Sequence, residues 1–165
     1  MSLKTNKPAA DTATAPVPSA AAANEAFSIT ARIYYEDTDA GGVVYYANYL
    51  KFFERCRTEW LRTIGHGQAD LLRDPGIVFV VRAVSLDYCK PARLDDLLSI
   101  TLEVDKIGRS QISFRQSVRR SSQSKPEEPW ETLVIGHIQI VCVDLASFKP
   151  VSIPSFLRTQ LEALQ

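Results

Sequence analysis

Residues 34–61 read YYEDTDAGGVVYYANYLKFFERCRTEWL, and the period of the sequence changes within this stretch. Its first residues end an alternating segment, and Glu36 to Gly42 form a predicted loop with two aspartates and two glycines. From Tyr46 to Ile64, apolar residues return every three or four positions, with charged residues between them. This spacing predicts an amphipathic helix of about five turns. Gly65 stands where a left-handed C-cap belongs.

The segments on either side of this helix alternate in the manner of half-buried strands. Phe27 to Tyr35 is predicted as the first strand. Thr132 to Asp144 is apolar on both faces and should be an interior strand. The other predicted elements are strands at Ile77 to Tyr88, Leu98 to Asp105 and Ile112 to Arg119, a tight turn at Gly108, and short helices at Gln68 to Arg73 and Pro154 to Leu164.

The order of these elements is one strand, one long helix and then four strands. A single helix can cover one face of a five-stranded sheet if the sheet wraps around it. The predicted fold class is therefore α+β, a five-stranded antiparallel sheet wrapped around one long central helix. Residues 27–165 form this predicted domain. Residues 1–26 are rich in Ala, Pro, Thr and Ser and are interpreted as a disordered tail, since they offer little apolar surface to bury.

The composition bounds the possible functions. Lys plus Arg equals Asp plus Glu, at 19 each, so there is no basic excess to suggest a nucleic-acid partner. Apolar runs of 18 residues, which would indicate a membrane span, do not occur. The three cysteines are widely spaced and odd in number, which disfavours a disulfide framework or a zinc site. We expect a cytoplasmic protein with reduced thiols and no metal.

A carboxylate in a Gly-containing loop before a helix suits acyl transfer. The first amides of a helix have no intrahelical acceptor, and they can hold a carbonyl oxygen as it becomes an oxyanion. Asp39 could then act on the carbonyl carbon, as a nucleophile or as a base for water. Gly41 and Gly42 would let the backbone approach the substrate. The structural alternative is that an aspartate here caps the helix and the glycines form a turn. Of Asp37 and Asp39, one could cap while the other reacts.

The stretch resembles the hot-dog-fold thioesterases of the 4-hydroxybenzoyl-CoA thioesterase family, and most closely their YbgC-type branch of bacterial acyl-CoA thioesterases. The resemblance covers residues 29–155. It is carried by YYEDTDAGGVVYYANYL and by three further motifs, FVVR at 79–82, PARLDD at 91–96 and VCVD at 141–144. It implies a hot-dog fold and hydrolysis of an acyl-CoA, with coenzyme A as part of the substrate and no separate cofactor.

The resemblance also implies roles for single residues. Asp39 matches the catalytic carboxylate and Tyr35 a tyrosine near the site. Tyr46 stands where the YbgC-type branch usually has a histidine, and its backbone N–H is expected to polarise the thioester carbonyl. Substrate-binding roles are expected for Gly41, Gly42, Val43, Tyr45 and Arg109.

Other residues are less informative. Arg119 and Arg120 are further candidates for the phosphates of coenzyme A. Cys56 lies on the apolar face of the helix and is expected in the core. His66 and His137 are interpreted as structural, which disfavours a hydratase, because hot-dog hydratases need a histidine beside their carboxylate.

The family assembles as dimers joined edge to edge, with sites at the interface, and as dimers of dimers, so a homo-oligomer is expected. The competing function is a non-catalytic module that binds acyl-CoA or acyl carriers, or a scaffold in an envelope-associated complex. YbgC-type proteins are linked to Tol-Pal envelope proteins and to phospholipid enzymes, which makes a membrane-linked partner plausible.

Overall fold

The structure, a computed structural model, describes residues 26–121 and 130–163. The predicted disordered tail, apart from residue 26, and most of the polar segment before the last strand lie outside the described residues. The described elements are β1 (Phe27–Arg32), α1 (Asn48–Thr63), α2 (Gln68–Arg73), β2 (Ile77–Tyr88), β3 (Leu97–Ile107), β4 (Gln111–Arg120), β5 (Glu131–Asp144) and α3 (Ser155–Glu162).

The strands form one antiparallel sheet in the order β1-β3-β4-β5-β2. The predicted α+β architecture is confirmed, and β5 is an interior strand as its apolar faces predicted. Edge positions fall to the short β1 and to the long β2. None of the helices in the described residues has the length and apolar character that a membrane span needs.

Helix α1 packs its apolar face onto the sheet. Phe52, Phe53 and Cys56 are at most 2% exposed. Gly136 in β5 lies directly beneath the helix, and a Cβ at this position would come within 2.7 Å of the Phe53 ring. The absence of a side chain at Gly136 therefore sets how closely α1 approaches β5.

A buried polar residue also joins α1 to the sheet. Gln116 in β4 is 0% exposed and faces the helix between Phe114 and Val118. Its Nε2 donates to the Phe53 carbonyl at 3.1 Å, and its Oε1 accepts from Arg57 Nη1 at 2.8 Å. These bonds satisfy an amide that would otherwise be costly to bury.

The ends of several elements differ from the predictions. β1 stops at Arg32 rather than Tyr35, because the Ile33 amide bonds the Asp96 carbonyl and a 3₁₀ turn follows at Tyr35–Asp37. α1 begins at Asn48 rather than Tyr46. Its C-terminus matches the prediction: Gly65 has φ +88° and its amide donates to the Arg62 carbonyl at 2.9 Å.

The sheet has two ends that matter for the site. At the first, here named the Tyr88 end, β2 finishes opposite Val134 of β5. At the other, named the Ile77 end, β2 begins opposite Asp144 and the β3–β4 turn contains Gly108. The two ends are about 33 Å apart along β3 at a strand rise of ~3.3 Å per residue.

Candidate active site

Residues 38–44 form a small hairpin at the Tyr88 end, here named the Asp39 hairpin. The Asp39 amide donates to the Val43 carbonyl at 2.9 Å, and the Gly42 amide donates to the Asp39 carbonyl at 3.0 Å. Val43 pairs with Arg93, which anchors the hairpin beside the start of β3. The hairpin therefore has a fixed place in the fold.

The two glycines shape the turn around the Asp39 carboxylate. Asp39 Oδ1 accepts from the Gly41 amide at 2.7 Å. A Cβ at Gly41 would stand 3.0 Å from that oxygen, and Gly42 has φ +73°, a conformation that favours glycine. Asp39 is exposed in the single chain, and its Oδ2 accepts no hydrogen bond from the described residues. One carboxylate oxygen is thus held and the other is open.

Asp37 has a different task. Its Oδ2 accepts from the Tyr34 amide at 2.9 Å, while its carbonyl accepts from the Tyr45 amide and from Asn48 Nδ2, each at 2.9 Å. Asn48 is 5% exposed and ties the start of α1 to this loop. Asp37 and Asn48 therefore build the loop that carries Asp39. Sequence reasoning missed Asn48, which stands among apolar residues without any local signal of its partner.

The backbone amides of Tyr45 and Tyr46 differ in whether they are free to bind a substrate oxygen. The Tyr45 amide is occupied by the Asp37 carbonyl, so it has no free hydrogen for a substrate. The Tyr46 amide has no acceptor within residues 26–121 and 130–163, and it lies just before the first turn of α1. Of these two amides, only that of Tyr46 is free to donate to a thioester oxygen.

A cleft of about 280 Å³ opens beside Tyr46, here named the tyrosine cleft. The Tyr88 hydroxyl donates to the Tyr46 carbonyl at 3.1 Å, and the two rings meet edge to face with centroids 6.5 Å apart. Sequence reasoning missed Tyr88, although it comes just before the PARLDD motif. The lining residues are Val44, Tyr46, Tyr49, Tyr88, Cys89, Lys90 and Pro91.

Two phenols of the cleft, Tyr49 and Tyr88, have pKa values above the usual range of tyrosine. Burial raises the pKa of Tyr49, whose hydroxyl accepts from the Ala92 amide at 3.0 Å. Burial likewise raises the pKa of Tyr88. A hydrogen bond with Tyr46 raises the pKa of Tyr45. Neutral phenols at physiological pH can donate hydrogen bonds to backbone or substrate oxygens.

Tyr35 and Arg109 lie away from the tyrosine cleft. Tyr35 is 81% exposed at the start of the 3₁₀ turn. Arg109 follows β3 at the Ile77 end, where its Nε donates to Ser152 Oγ at 2.8 Å. Because the sheet ends are about 33 Å apart, Arg109 and Asp39 of one chain do not meet.

The other basic candidates make contacts within the sheet. Arg120 is partly buried and pairs with Asp96 at 2.8 Å and Glu131 at 2.5 Å. Arg119 Nε donates to Ser117 Oγ at 3.1 Å. Both guanidinium groups therefore support the strands.

Cys56 is a core residue, as predicted. It is 0% exposed, its thiol donates to the Ile100 carbonyl at 3.4 Å, and burial raises its pKa to about 12. A thiol with such a pKa is a poor nucleophile at neutral pH. The histidines His66 and His137 do not line the tyrosine cleft.

The comparisons with known proteins agree on one family. A sequence profile described as the thioesterase superfamily matches residues 41–127. The acyl-CoA thioesterase YbgC of Haemophilus influenzae is 43% identical over 141 residues, which cover 84% of this chain and 96% of that protein.

Solved structures match the fold. A probable thioesterase from Bartonella henselae superposes with a TM-score of 0.71 at 31% identity, covering 79% of this chain and 100% of that one. A 4-hydroxybenzoyl-CoA thioesterase variant in complex with 4-hydroxybenzoyl-CoA superposes with a TM-score of 0.74, covering 85% of this chain and 100% of that one. At 20% identity, the second match speaks for the hot-dog fold alone.

Proposed function

Because the chain belongs to the thioesterase superfamily, we propose that it is an acyl-CoA thioesterase whose catalytic carboxylate is Asp39. The identity to a YbgC acyl-CoA thioesterase over most of both chains supports hydrolysis of acyl-CoA. The products are a carboxylic acid and coenzyme A.

The proposed reaction uses one carboxylate and one amide. The Tyr46 N–H binds the thioester oxygen and stabilises the negative charge that develops on it. Asp39 either attacks the carbonyl carbon itself or takes a proton from the water that attacks. If Asp39 attacks, the C–S bond breaks to leave a mixed anhydride between the acyl group and Asp39, and water then hydrolyses it to the free acid and the Asp39 carboxylate. If water attacks, its oxygen bonds to the carbonyl carbon and the C–S bond breaks to give the acid directly. In both cases the thiolate of coenzyme A leaves and is protonated.

The observation that supports this proposal is a difference in hydrogen bonding between two neighbouring carboxylates. Asp37 is committed to backbone hydrogen bonds, whereas Asp39 keeps one oxygen open. The open oxygen lies on the same short loop as the unoccupied Tyr46 amide. One loop therefore carries both a carboxylate with an open oxygen and an amide that can donate to an oxyanion, and neither has another partner among the described residues.

A second subunit would complete the site. β2 is an edge strand, and Val81, Val84 and Tyr88 on it are 54%, 45% and 49% exposed. Two copies related by a two-fold axis would pair their β2 strands antiparallel and bury these side chains. This pairing places the Ile77 end of one chain beside the Tyr88 end of the other. Arg109 of the partner subunit would then lie on the same side as Asp39.

The test is a substitution that removes the charge and keeps the turn. In Asp39→Asn the amide oxygen can still accept from Gly41, so the hairpin is preserved. We expect kcat for thiol release from acyl-CoA esters to fall by a factor of about 100 or more. Asp37→Asn, the matched control, should lower kcat far less. Wild-type turnover by Asp39→Asn would remove Asp39 from the mechanism.

The remaining expectations stay predictions. These are a cytoplasmic location, dimers of dimers, and association with Tol-Pal or phospholipid enzymes. A panel of acyl-CoA esters would expose the competing function, because tight binding of the panel without turnover is the behaviour of a binding module rather than an enzyme.

A further inference from the structure

A second cavity, of about 130 Å³, lies between α1, α3 and the sheet at the Ile77 end. It is separate from the tyrosine cleft and shares no lining residue with it. Most of its wall is aromatic or aliphatic. We name it the Arg57 cavity, and its lining residues are Glu54, Arg57, Trp60, Leu61, Gln68, Phe79, Val81, Ile112, Phe114, Ile140, Leu157 and Leu161.

Arg57 brings a charge into this apolar wall. Its Nη1 donates to Gln116, but no carboxylate oxygen of the described residues comes within 4.0 Å of the guanidinium. Nε and Nη2 have no acceptor there either. Every fully buried side-chain nitrogen or oxygen in the described residues has a partner, so these two nitrogens are not fully buried, and Arg57 is one of the residues that line the cavity.

An unpaired charge in such a place is costly. The mostly apolar wall weakens the solvation of the guanidinium, and an anion or good hydrogen bonds would compensate for this loss. Burial lowers the pKa of Arg57, although an arginine stays charged at neutral pH. Glu54, one turn earlier, offsets part of this effect through its charge. A ligand that accepts hydrogen bonds from Nε and Nη2 would satisfy the guanidinium.

The cavity cannot serve Asp39 of the same chain. From Val81 at the cavity to Tyr88 at the tyrosine cleft is about 23 Å along β2, which is longer than any acyl group that 130 Å³ can hold. The antiparallel pairing of β2 strands proposed above changes which cavity and which hairpin are neighbours. It sets the cavity of one subunit beside the Asp39 hairpin of the other.

We propose that the Arg57 cavity is the acyl pocket for the partner subunit's hairpin, and that Arg57 selects acyl groups that end in a carboxylate. This inference rests on the proposed function and adds a substrate class to it. An apolar protein cavity of about 150 Å³ holds a benzene molecule. The preferred acyl group therefore has about six non-hydrogen atoms beyond the thioester carbonyl, as a glutaryl group has.

A matched pair of substrates tests the selection. Glutaryl-CoA and 5-methylhexanoyl-CoA have the same shape, but the first ends in a carboxylate and the second in two methyl groups. We expect wild-type kcat/KM to favour glutaryl-CoA by tenfold or more. Arg57→Met, which keeps the length and removes the charge, should abolish or invert this preference, mainly through KM for glutaryl-CoA.

Arg57→Lys separates selection from folding. It retains a cation and should restore part of the preference for glutaryl-CoA. Equal losses on both esters in Arg57→Met, with no rescue by Arg57→Lys, would mean that Arg57 only supports Gln116 and α1. A wild-type preference for 5-methylhexanoyl-CoA would also overturn the proposal while leaving the thioesterase function intact. Hydrolysis of neither ester nor any other acyl-CoA would instead refute the function itself.

Subunit mixing tests the shared site. A heterodimer of one Asp39→Asn chain and one Arg57→Met chain has one intact composite site if the cavity serves the partner's hairpin. We expect such tagged and purified heterodimers to show about half of the wild-type kcat/KM on glutaryl-CoA, the parameter that Arg57→Met lowers. Activity no higher than that of the Arg57→Met homodimer would show that Asp39 and Arg57 of the same chain work together, against the proposal.

Discussion

At the scale of the residue, the Asp39 hairpin shows which features of a site a local sequence pattern can predict and which it cannot. Spacing placed two aspartates before a helix but could not separate the one that caps from the one that is free. The difference lies in hydrogen bonds to Tyr34, Tyr45 and Asn48, which depend on how the loop folds back. The resemblance to a known family singled out Asp39, and its catalytic role stays a prediction.

Tyr88 is a positioning residue, because its hydroxyl holds the backbone of Tyr46. Tyr88→Phe keeps the ring contacts and removes the hydroxyl that holds the Tyr46 carbonyl. Because one such hydrogen bond contributes about 1 kcal/mol, we expect kcat to fall about fivefold with KM little changed, measured by thiol release. Tyr34→Phe is the control, since Tyr34 is 62% exposed. A fall in both variants alike would deny the Tyr88 hydroxyl a specific role.

At the scale of the element, periodicity was a good guide. The central parts of all the strands and helices follow from the apolar pattern, and Gly65 marks the end of α1 as predicted. The errors fall at the end of β1 and the start of α1, where long-range hydrogen bonds decide. Gln116 was also missed, because a polar residue within an alternating strand does not reveal the arginine that will meet it.

The contact between α1 and β5 gives an element-scale prediction. In Gly136→Ala the new methyl group would meet Phe53 at 2.7 Å and Leu86 at 3.0 Å. We expect the free energy of unfolding to fall by about 1–3 kcal/mol in urea titrations. Gly67→Ala is the control, because its Cβ meets only the flexible end of Asp70. If Gly136→Ala were as stable as Gly67→Ala, the packing of α1 on β5 would be looser than described.

The charged cluster at the Tyr88 end links the strands and should respond to pH. Hydrogen bonds from Lys90 and Arg120 lower the pKa of Glu131 in the folded chain. The stabilisation from Glu131 is therefore present above its unfolded pKa, about 4.3, and is lost as pH falls through the lower folded value. Glu131→Gln should reduce Tm at pH 7 and have little effect well below pH 4. An equal loss of Tm at both pH values would mean that the charge is not responsible.

At the scale of the whole molecule, the sheet order decides which residues can share a site. The resemblance to the family assigned Arg109 and Asp39 to one substrate site. The sequence alone does not show that the β3–β4 turn and the Asp39 hairpin lie at opposite ends of the sheet. Antiparallel register makes this separation clear. The grouping can hold only between two chains.

The β2 edge is the place to test this. Val84→Lys replaces an apolar side chain, 45% exposed on the free edge, with a charged one. We expect this variant to sediment as a monomer and to lose most thioesterase activity while keeping its circular dichroism spectrum. Thr30→Lys on the opposite edge strand, β1, is the control and should remain associated. A Val84→Lys protein that stays associated and active would place the contact elsewhere.

Opposite placement of Arg109 and Asp39 has a further effect in the cell. In the proposed dimer, each chain contributes residues to two shared sites, and an isolated chain contains no complete site. Turnover at low abundance then scales with the square of the chain's concentration, and specific activity declines on dilution below the dissociation constant of the pair. Thioester hydrolysis would therefore respond to expression level more steeply than in simple proportion.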